Sequence, residues 1–281
     1  MARTAGRTRG FLLDRVLRRP VVYTDRRGLK YVLYPGENAR VYFAHGGNYE
    51  VDETQLCESL LREGDVAIDG GANIGLYSLL FGRLVGEAGR VVAFEPDPTN
   101  AERLRRNLAL NELSRVNVQE VALWREDGRR TLHRFEPAFG PWHSLGAPEL
   151  ADPFRQGHVV VPVSEIEVEV TTLDAFCRGA GIEHVRLLKL DLEGAEPDAL
   201  AGASKLLERR AIDVVLFEVS APQLAALGHP TSAAVEILAD HGYLSWDIRE
   251  NGVIGERADT VPERWGNLIA LPPGSPHAPG A

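Results

Sequence analysis

The sequence predicts an α/β fold: a mostly parallel sheet with helices on both faces, preceded by a short β-rich lead-in. Three observations carry this. Short apolar runs alternate with helical stretches from about residue 66 onward. Those runs are continuous rather than alternating, as strands buried on both faces are. Four of them end on an acid (Asp69, Glu95, Asp191 and Glu218). In a parallel sheet that places all four at one edge, where such sheets bind their ligands.

The elements follow in order. The first 20 residues carry Arg3, Arg7, Arg9, Arg15, Arg18 and Arg19, and the apolar run Phe11-Leu12-Leu13 is interrupted by Asp14. That run is too short for an export signal, so this stretch reads as a basic arm or short helix. Residues 21–50 hold Val21-Val22-Tyr23 and Tyr31-Val32-Leu33-Tyr34, which read as short strands. Residues 52–63 place Leu56, Leu60 and Leu61 at helical spacing and stop before Gly64. The alternation then runs strand 66–69, helix 74–85, strand 90–95, helix 99–110, strand 116–123. Residues 135–170 differ in character. Phe135, Pro137, Phe139, Gly140, Pro141, Trp142, His143 and Ser144 precede an acidic alternation through Glu165, Glu167 and Glu169. This is either an insertion beside the site or a surface loop with an edge hairpin. The alternation resumes with helix 173–180, strand 185–190, helix 197–208, strand 212–218, helix 232–241 and strands 243–248 and 267–271. The Pro- and Gly-rich end cannot form a regular element and is expected to be disordered. The domain plan is an arm and lead-in over 1–47, one α/β domain over 48–271 and a tail over 272–281.

Composition excludes several classes. With 44% hydrophobic and 25% charged residues, the chain is an ordinary globular protein. No stretch approaches the roughly 18 apolar residues a membrane span needs. A net charge of −9 argues against a surface that wraps nucleic acid. Cys57 and Cys177 have no metal or redox spacing and read as reduced thiols of a cytoplasmic protein.

The strongest local signal is Asp69-Gly70-Gly71-Ala72-Asn73-Ile74-Gly75, between a strand and a helix. A dinucleotide loop shows G-x-G-x-x-G, and this one does not. The acid before the first glycine is a poor neighbour for a pyrophosphate. It suits a cofactor that carries an amine and a sulfonium. Glu95 ends the next strand, where an acid accepts hydrogen bonds from both ribose hydroxyls. Together these point to S-adenosylmethionine rather than a nicotinamide dinucleotide.

At residues 66–75, Phe94-Glu95-Pro96 and Leu188-Lys189-Leu190-Asp191-Leu192-Glu193-Gly194-Ala195-Glu196, the chain resembles the FkbM family of S-adenosylmethionine-dependent methyltransferases. The resemblance covers roughly residues 48–271, and the Lys-x-Asp-x-Glu-Gly-x-Glu run is its most specific part. It implies a class I methyltransferase (Rossmann-like) sheet of seven strands with the last antiparallel. It also implies O-methylation of a hydroxyl on a sugar or secondary metabolite. Tyr49-Glu50 and Glu218 match further family positions. Gly70 departs, standing where Val is usual, which predicts a slightly looser turn. The expected cofactor set is Glu50 at the amino-acid end and Asp69, Gly71 and Asn73 along the methionine. Glu95-Pro96 stands at the ribose. The backbone of Ala122 flanks the adenine, with Leu123 or Trp124 beside the ring.

An alcohol is a weak nucleophile near neutral pH, so a base or a cation is expected. Asp191 either positions the cofactor amine or takes the alcohol proton, and Glu193 orients the hydroxyl. Two acids so close push their pKa values apart. The competing reading makes Lys189, Asp191, Glu193 and Glu196 a structural ion network. Oxygen ligands suit Mg²⁺, but with no third ligand evident a divalent metal is the less favoured reading. His45, His143 and His229 are alternative bases, His143 the best placed. Trp142, His143, Ser144 and Glu218 are the expected acceptor contacts, although Trp142 equally suits a hydrophobic plug. Asn267 either faces the site or caps a turn. The expected partner is a small molecule with a free hydroxyl. The competing functions are a binding module that keeps the fold without catalysis, and a methyltransferase acting on nitrogen or a peptide. A non-catalytic chain is expected to lose Asp69 or Glu95, and both are present.

Overall fold

In the computed structural model the described residues are 19–35, 50–151, 157–258 and 266–279. The basic arm before residue 19, His45 and Tyr49 lie outside them. Strands β1 (Val21–Thr24) and β2 (Lys30–Leu33) form an antiparallel hairpin. Helix α1 (Val51–Leu60) buries Leu56, Cys57 and Leu60, as its spacing predicts. Strands β3 (Val66–Gly70), β4 (Arg90–Phe94) and β5 (Asn117–Gln119) are parallel neighbours. They are connected by α2 (Leu76–Leu84) and α3 (Pro98–Leu110). Helix α3 starts where it does because the Asp97 carboxylate accepts the N–H groups of Thr99 at 2.9 Å and Asn100 at 3.1 Å, with Pro98 at the first position.

The strand expected over 116–123 is two strands. β5 stays in the main sheet, while β6 (Ala122–Leu123) turns away into a three-stranded sheet. There it lies beside β10 (Ser164–Thr171), which also pairs antiparallel with β7 (Gly128–Arg134). The acidic alternation in 165–169 is the outward face of β10. It sits across from basic residues of β7, with Glu167 3.1 Å from Arg129 and Glu165 3.2 Å from His133. A short pair, β8 (Leu150–Ala151) and β9 (Val159–Val160), lies between these two long strands in sequence. The described residues of this segment thus contribute β10 to a small sheet beside the main one and a separate two-stranded pair.

After α4 (Leu173–Gly179), strands β11 (Val185–Leu190) and β12 (Ile212–Val219) extend the parallel sheet on the other side of β3. The helix expected over 197–208 is broken into α5 (Glu196–Ala201) and α6 (Ser204–Glu208). The Asp174 carboxylate of α4 accepts the N–H groups of Lys205 and Leu206 and so starts a second helix there. A short helix the sequence reading lacked, α7 (Ala221–Ala226), follows β12, and α8 (Ala233–Asp240) leads to β13 (Leu244–Arg249). The main sheet has eight strands, not seven. The additional one, β14 (Val253–Arg257), is an edge strand antiparallel to β13. The last strand, β15 (Gly266–Leu271), runs antiparallel between β12 and β13, as expected.

Alternate residues of the strands feed opposite faces. Ala67, Val91 and Ala93 pack with Leu33, Leu56, Phe81 and Leu104, whereas Ile68, Val92 and Phe94 pack with Leu173, Leu200 and Leu224. The segment expected to be a disordered tail lies against the body. His277 Nε2 is 2.6 Å from an Arg186 guanidinium nitrogen, and Ala278 packs on the first of these cores. Among the described residues no helix is long and apolar enough to cross a membrane.

Candidate active site

The glycine loop closes over the carboxyl end of β11. Gly71 has φ 76°, and a Cβ there would lie 1.8 Å from the backbone oxygen of Asp191, so no other residue fits. Asn73 also takes the left-handed conformation, φ 48°, which turns its N–H onto Glu95 Oε2 at 2.7 Å. The N–H of Asp97 reaches Oε1 at 2.9 Å. Glu95 is buried with both oxygens engaged. Burial raises its pKa to about 7, against the pull of these two N–H donors. The expectation of a loosened turn at Gly70 is not met. Gly70 pairs in register with Leu190 and Phe94, and a Cβ there would meet Leu190 at 3.0 Å and Leu123 at 3.2 Å. Neighbouring leucines fill the space that a valine would take.

Between this loop and the small sheet lies a cleft. Gly71, Asn73, Glu95, Pro96 and Ala122 line one part of it, and Asp191, Glu193 and His143 another. Leu123 also lines the cleft. Trp124 instead packs in a separate cluster with Ala122, Val170 and Ala195. Asn100, which the sequence reading did not single out, lines the cleft as well.

Asp69 and Glu50 stand behind the cleft rather than among its lining residues. Asp69 is fully buried and accepts the Ser78 hydroxyl at 2.5 Å. Lys189 Nζ lies 2.9 Å from Asp191 Oδ2, 3.8 Å from Asp69 Oδ1 and 4.5 Å from the centre of the Tyr77 ring. Burial alone would lower the lysine's pKa. The carboxylates of Asp191, Asp69 and Glu50 outweigh that and raise it. The Tyr77 hydroxyl donates to Glu50 Oε2 at 2.8 Å. Burial, reinforced by the Asp191 charge, pushes the Glu50 carboxyl up to about 7. The sequence reading missed Tyr77 and Ser78, whose only signal is their place in the first turn after the glycine loop.

Of the acids in the Lys-x-Asp-x-Glu-Gly-x-Glu run, Glu196 is structural. Its carboxylate accepts the N–H groups of Leu192 at 2.6 Å and Gly194 at 3.1 Å, holding the loop that carries the others. Glu193 is buried with φ 52°, a strained conformation for a glutamate. Gln223 of α7 donates to its Oε2 at 2.8 Å, and the Ser220 hydroxyl bonds the other end of that amide. Gln223 was also missed, although Pro222 shortly after Ser220 is a helix-start signal that marks its helix. Glu218, at the end of β12, joins this group. One carboxylate oxygen from each of Asp191, Glu193 and Glu218 lies within 4.8 Å of the others. Glu218 Oε2 is buried and has no hydrogen-bond partner among the described residues. Burial, then the neighbouring carboxylates, raises the pKa of Glu193 and Glu218 well above the ordinary range.

Three further expectations are revised. His143 Nδ1 accepts the Phe135 N–H at 3.2 Å. Burial, with help from Arg134 and Arg103, lowers its pKa to about 4 against the pull of Asp97. With Nδ1 engaged, Nε2, 4.0 Å from Asp97 Oδ2, is the nitrogen left to carry the proton of the neutral ring. The Ser144 hydroxyl is buried, donating to the Glu193 carbonyl at 2.7 Å and accepting the Gly146 N–H at 3.1 Å, so its proton is committed to positioning Glu193. Trp142 stacks on Phe139 with ring centres 5.0 Å apart and packs against Phe135, Leu150 and Val160, outside the residues lining the cleft. His229 is engaged elsewhere, 2.7 Å from the buried carboxylate of Asp198. Asn267 pairs with Glu218 in register, and its side chain donates to Glu53 at 3.1 Å.

The profile described as the methyltransferase FkbM domain matches residues 69–245. The chain is 33% identical over 158 residues to 2-O-methyltransferase NoeI of Sinorhizobium fredii, an alignment covering 54% of this chain and 63% of that protein. It is 32% identical over 160 residues to 31-O-demethyl-FK506 methyltransferase FkbM of Streptomyces tacrolimicus, covering 50% and 60%. The chain therefore spans less than two thirds of the length of these relatives. A solved O-methyltransferase from Bacillus cereus in complex with SAH is 13% identical, with a TM-score of 0.42 over 77% of each chain.

Proposed function

The chain belongs to the FkbM methyltransferase family, and from that premise we propose that it transfers the methyl group of S-adenosylmethionine to a hydroxyl of a sugar or secondary metabolite. One observation carries the reading. A single cleft joins an acid gripped by two backbone N–H groups, Glu95, to the half-buried Asp191 and the buried Glu193. The donor set fits the cofactor. Glu95 offers acceptors for the two ribose hydroxyls, and Pro96 and the Ala122 backbone wall the adenine end. Gly71 and Asn73 line the part of the cleft where the methionine would lie, with Glu50, held by Tyr77, behind it.

Bound there, S-adenosylmethionine supplies a methyl group already activated by its sulfonium, so the protein need not create the electrophile. The chain's own work is alignment, which contributes roughly 7–11 kcal/mol in well-oriented reactions. The carboxylates of Asp191, Glu193 and Glu218 give the acceptor hydroxyl a hydrogen-bond acceptor and take up its proton. Gln223 and Ser144 hold Glu193 in place. The names of NoeI and FkbM both specify methylation on oxygen, which supports a hydroxyl rather than a nitrogen acceptor.

The test is calorimetric titration of the chain with S-adenosylmethionine and S-adenosylhomocysteine, beside Glu95→Ala. Micromolar binding that is lost in the variant is the expected result. A folded wild type that binds neither overturns the reading.

A further inference from the structure

The sequence offered two oxygen ligands for a cation at this site, and folding adds a third. Glu218 is 27 residues from Asp191 in the chain, yet β11 and β12 are parallel neighbours and bring their carboxyl ends together. We propose that Asp191, Glu193 and Glu218 bind a hard divalent cation, of the Mg²⁺, Mn²⁺ or Ca²⁺ class, which the acceptor hydroxyl approaches.

Two independent observations support this. First, one oxygen from each side chain lies within 4.8 Å of the other two. Oxygens on opposite sides of a cation at about 2.1–2.5 Å are roughly 4–5 Å apart, so one ion reaches all three with little movement. Second, Glu218 is 5% exposed, and its Oε2 is buried without a hydrogen-bond partner among the described residues. Buried polar atoms are rarely left so, and an absent ion is one of the standing explanations. The all-carboxylate set selects hard cations over zinc or copper.

Charge accounting agrees. Lys189 is the cation beside the group, 2.9 Å from Asp191, and it also faces Asp69 and Glu50. That leaves Glu193 and Glu218 to be neutralised either by protons or by an ion. Three protein ligands leave coordination positions open to water and to a substrate oxygen, the arrangement of a catalytic rather than a structural ion. A hydroxyl bound there loses its proton more readily, to a carboxylate oxygen that does not face the ion. That role rests on the methyltransferase reading; the binding of the ion does not.

The experiment follows the free Mn²⁺ signal by electron paramagnetic resonance while metal-stripped protein is titrated with MnCl₂ near pH 8, alone and with saturating S-adenosylmethionine. The expected result is one Mn²⁺ per chain, displaced by excess Mg²⁺ or Ca²⁺. Affinity falls at least tenfold in Glu218→Gln, falls less in Glu218→Asp, and is unchanged in Glu87→Gln, a carboxylate on the exposed surface. Thermal melts in metal-free buffer verify that each variant is folded. A folded wild type with no stoichiometric site overturns the proposal, as does a site indifferent to Glu218→Gln. Displacement of Mn²⁺ by S-adenosylmethionine also overturns it, because the carboxylates then serve the cofactor's ammonium. Calorimetry with the cofactor in metal-free buffer separates these failures from a failure of the methyltransferase reading.

Discussion

At one end of the cleft Glu95 receives a backbone N–H on each carboxylate oxygen; near the other, Glu193 takes a donor from the Gln223 amide, and Glu218, which does not line the cleft, keeps a buried oxygen without a partner among the described residues. Both ends hold acids at the carboxyl ends of parallel strands, and burial raises the pKa at both. The difference lies in who satisfies them. The β4 end is finished by the chain's own backbone, which fixes the pose of the Glu95 carboxylate. The β11 and β12 end is left incomplete, with carboxylates facing one another, which is costly unless a proton or cation arrives. An acid satisfied by the fold positions a ligand, whereas an acid the fold leaves unsatisfied is available for chemistry.

Four measurements break or sharpen this contrast. The largest effect is expected at Lys189, the buried cation that links Asp69 to Asp191. Lys189→Met leaves both carboxylates uncompensated and lowers unfolding free energy by about 3–5 kcal/mol in urea titrations. Adding Asp69→Asn restores part of that loss, and a double variant no more stable than the single would remove the ion-pair account. Next comes Glu95→Ala, which removes the two-oxygen grip on the ribose. Losing charge-assisted hydrogen bonds of roughly 1.5–3 kcal/mol predicts a 10–100-fold weaker affinity for S-adenosylmethionine by calorimetry.

The third effect is on pH dependence. Glu95 has a folded pKa of about 7 against an ordinary 4.5, so between those values the folded state keeps a proton the unfolded state has released. Its stabilising contribution is complete below the ordinary value and is lost as pH rises to about 7. Without cofactor, stability should therefore fall from pH 5 to pH 8, by on the order of 1–3 kcal/mol from this group. Glu95→Gln should flatten that part of the slope, while Glu50, also near 7, retains its own. A slope unchanged in Glu95→Gln would show that the proton sits elsewhere. The smallest effect is expected at His143. Because the ring is neutral with Nδ1 engaged, His143→Asn should cost about 1 kcal/mol of stability or less and leave the pH dependence of cofactor binding between 6 and 8 unchanged. A lost ionisation in that range would restore the histidine as the base.

Much of the cofactor end was legible before folding. Asp69 through Gly75 announces a tight strand-to-helix turn, and Glu95 follows at the end of the next strand, so local spacing is enough to bring them together. Reading individual roles went less far. Asp69 looks like a ligand in sequence and is a partner of Ser78 and Lys189 in the structure. His143 looks free to act as a base, whereas in the structure its Nδ1 accepts the Phe135 N–H. Ser144 looks like an acceptor contact and is instead a brace beneath Glu193. The strand expected over 116–123 divides because β10, some 50 residues later, pairs with β6 and draws it out of the main sheet.

The sequence by itself determined the parallel strands, the glycine loop and the acids at the strand ends. Continuous apolar runs, left-handed turn residues and strand–helix alternation are local properties, and each forces its own conformation. The tertiary structure alone decided which acids are satisfied. It turned Glu95 onto two N–H groups, tied Glu193 to Gln223, and set Glu218 beside Asp191 with an oxygen unpaired. The physical reason is that desolvation and hydrogen-bond satisfaction depend on neighbours distant in the chain, and no spacing along one strand records them.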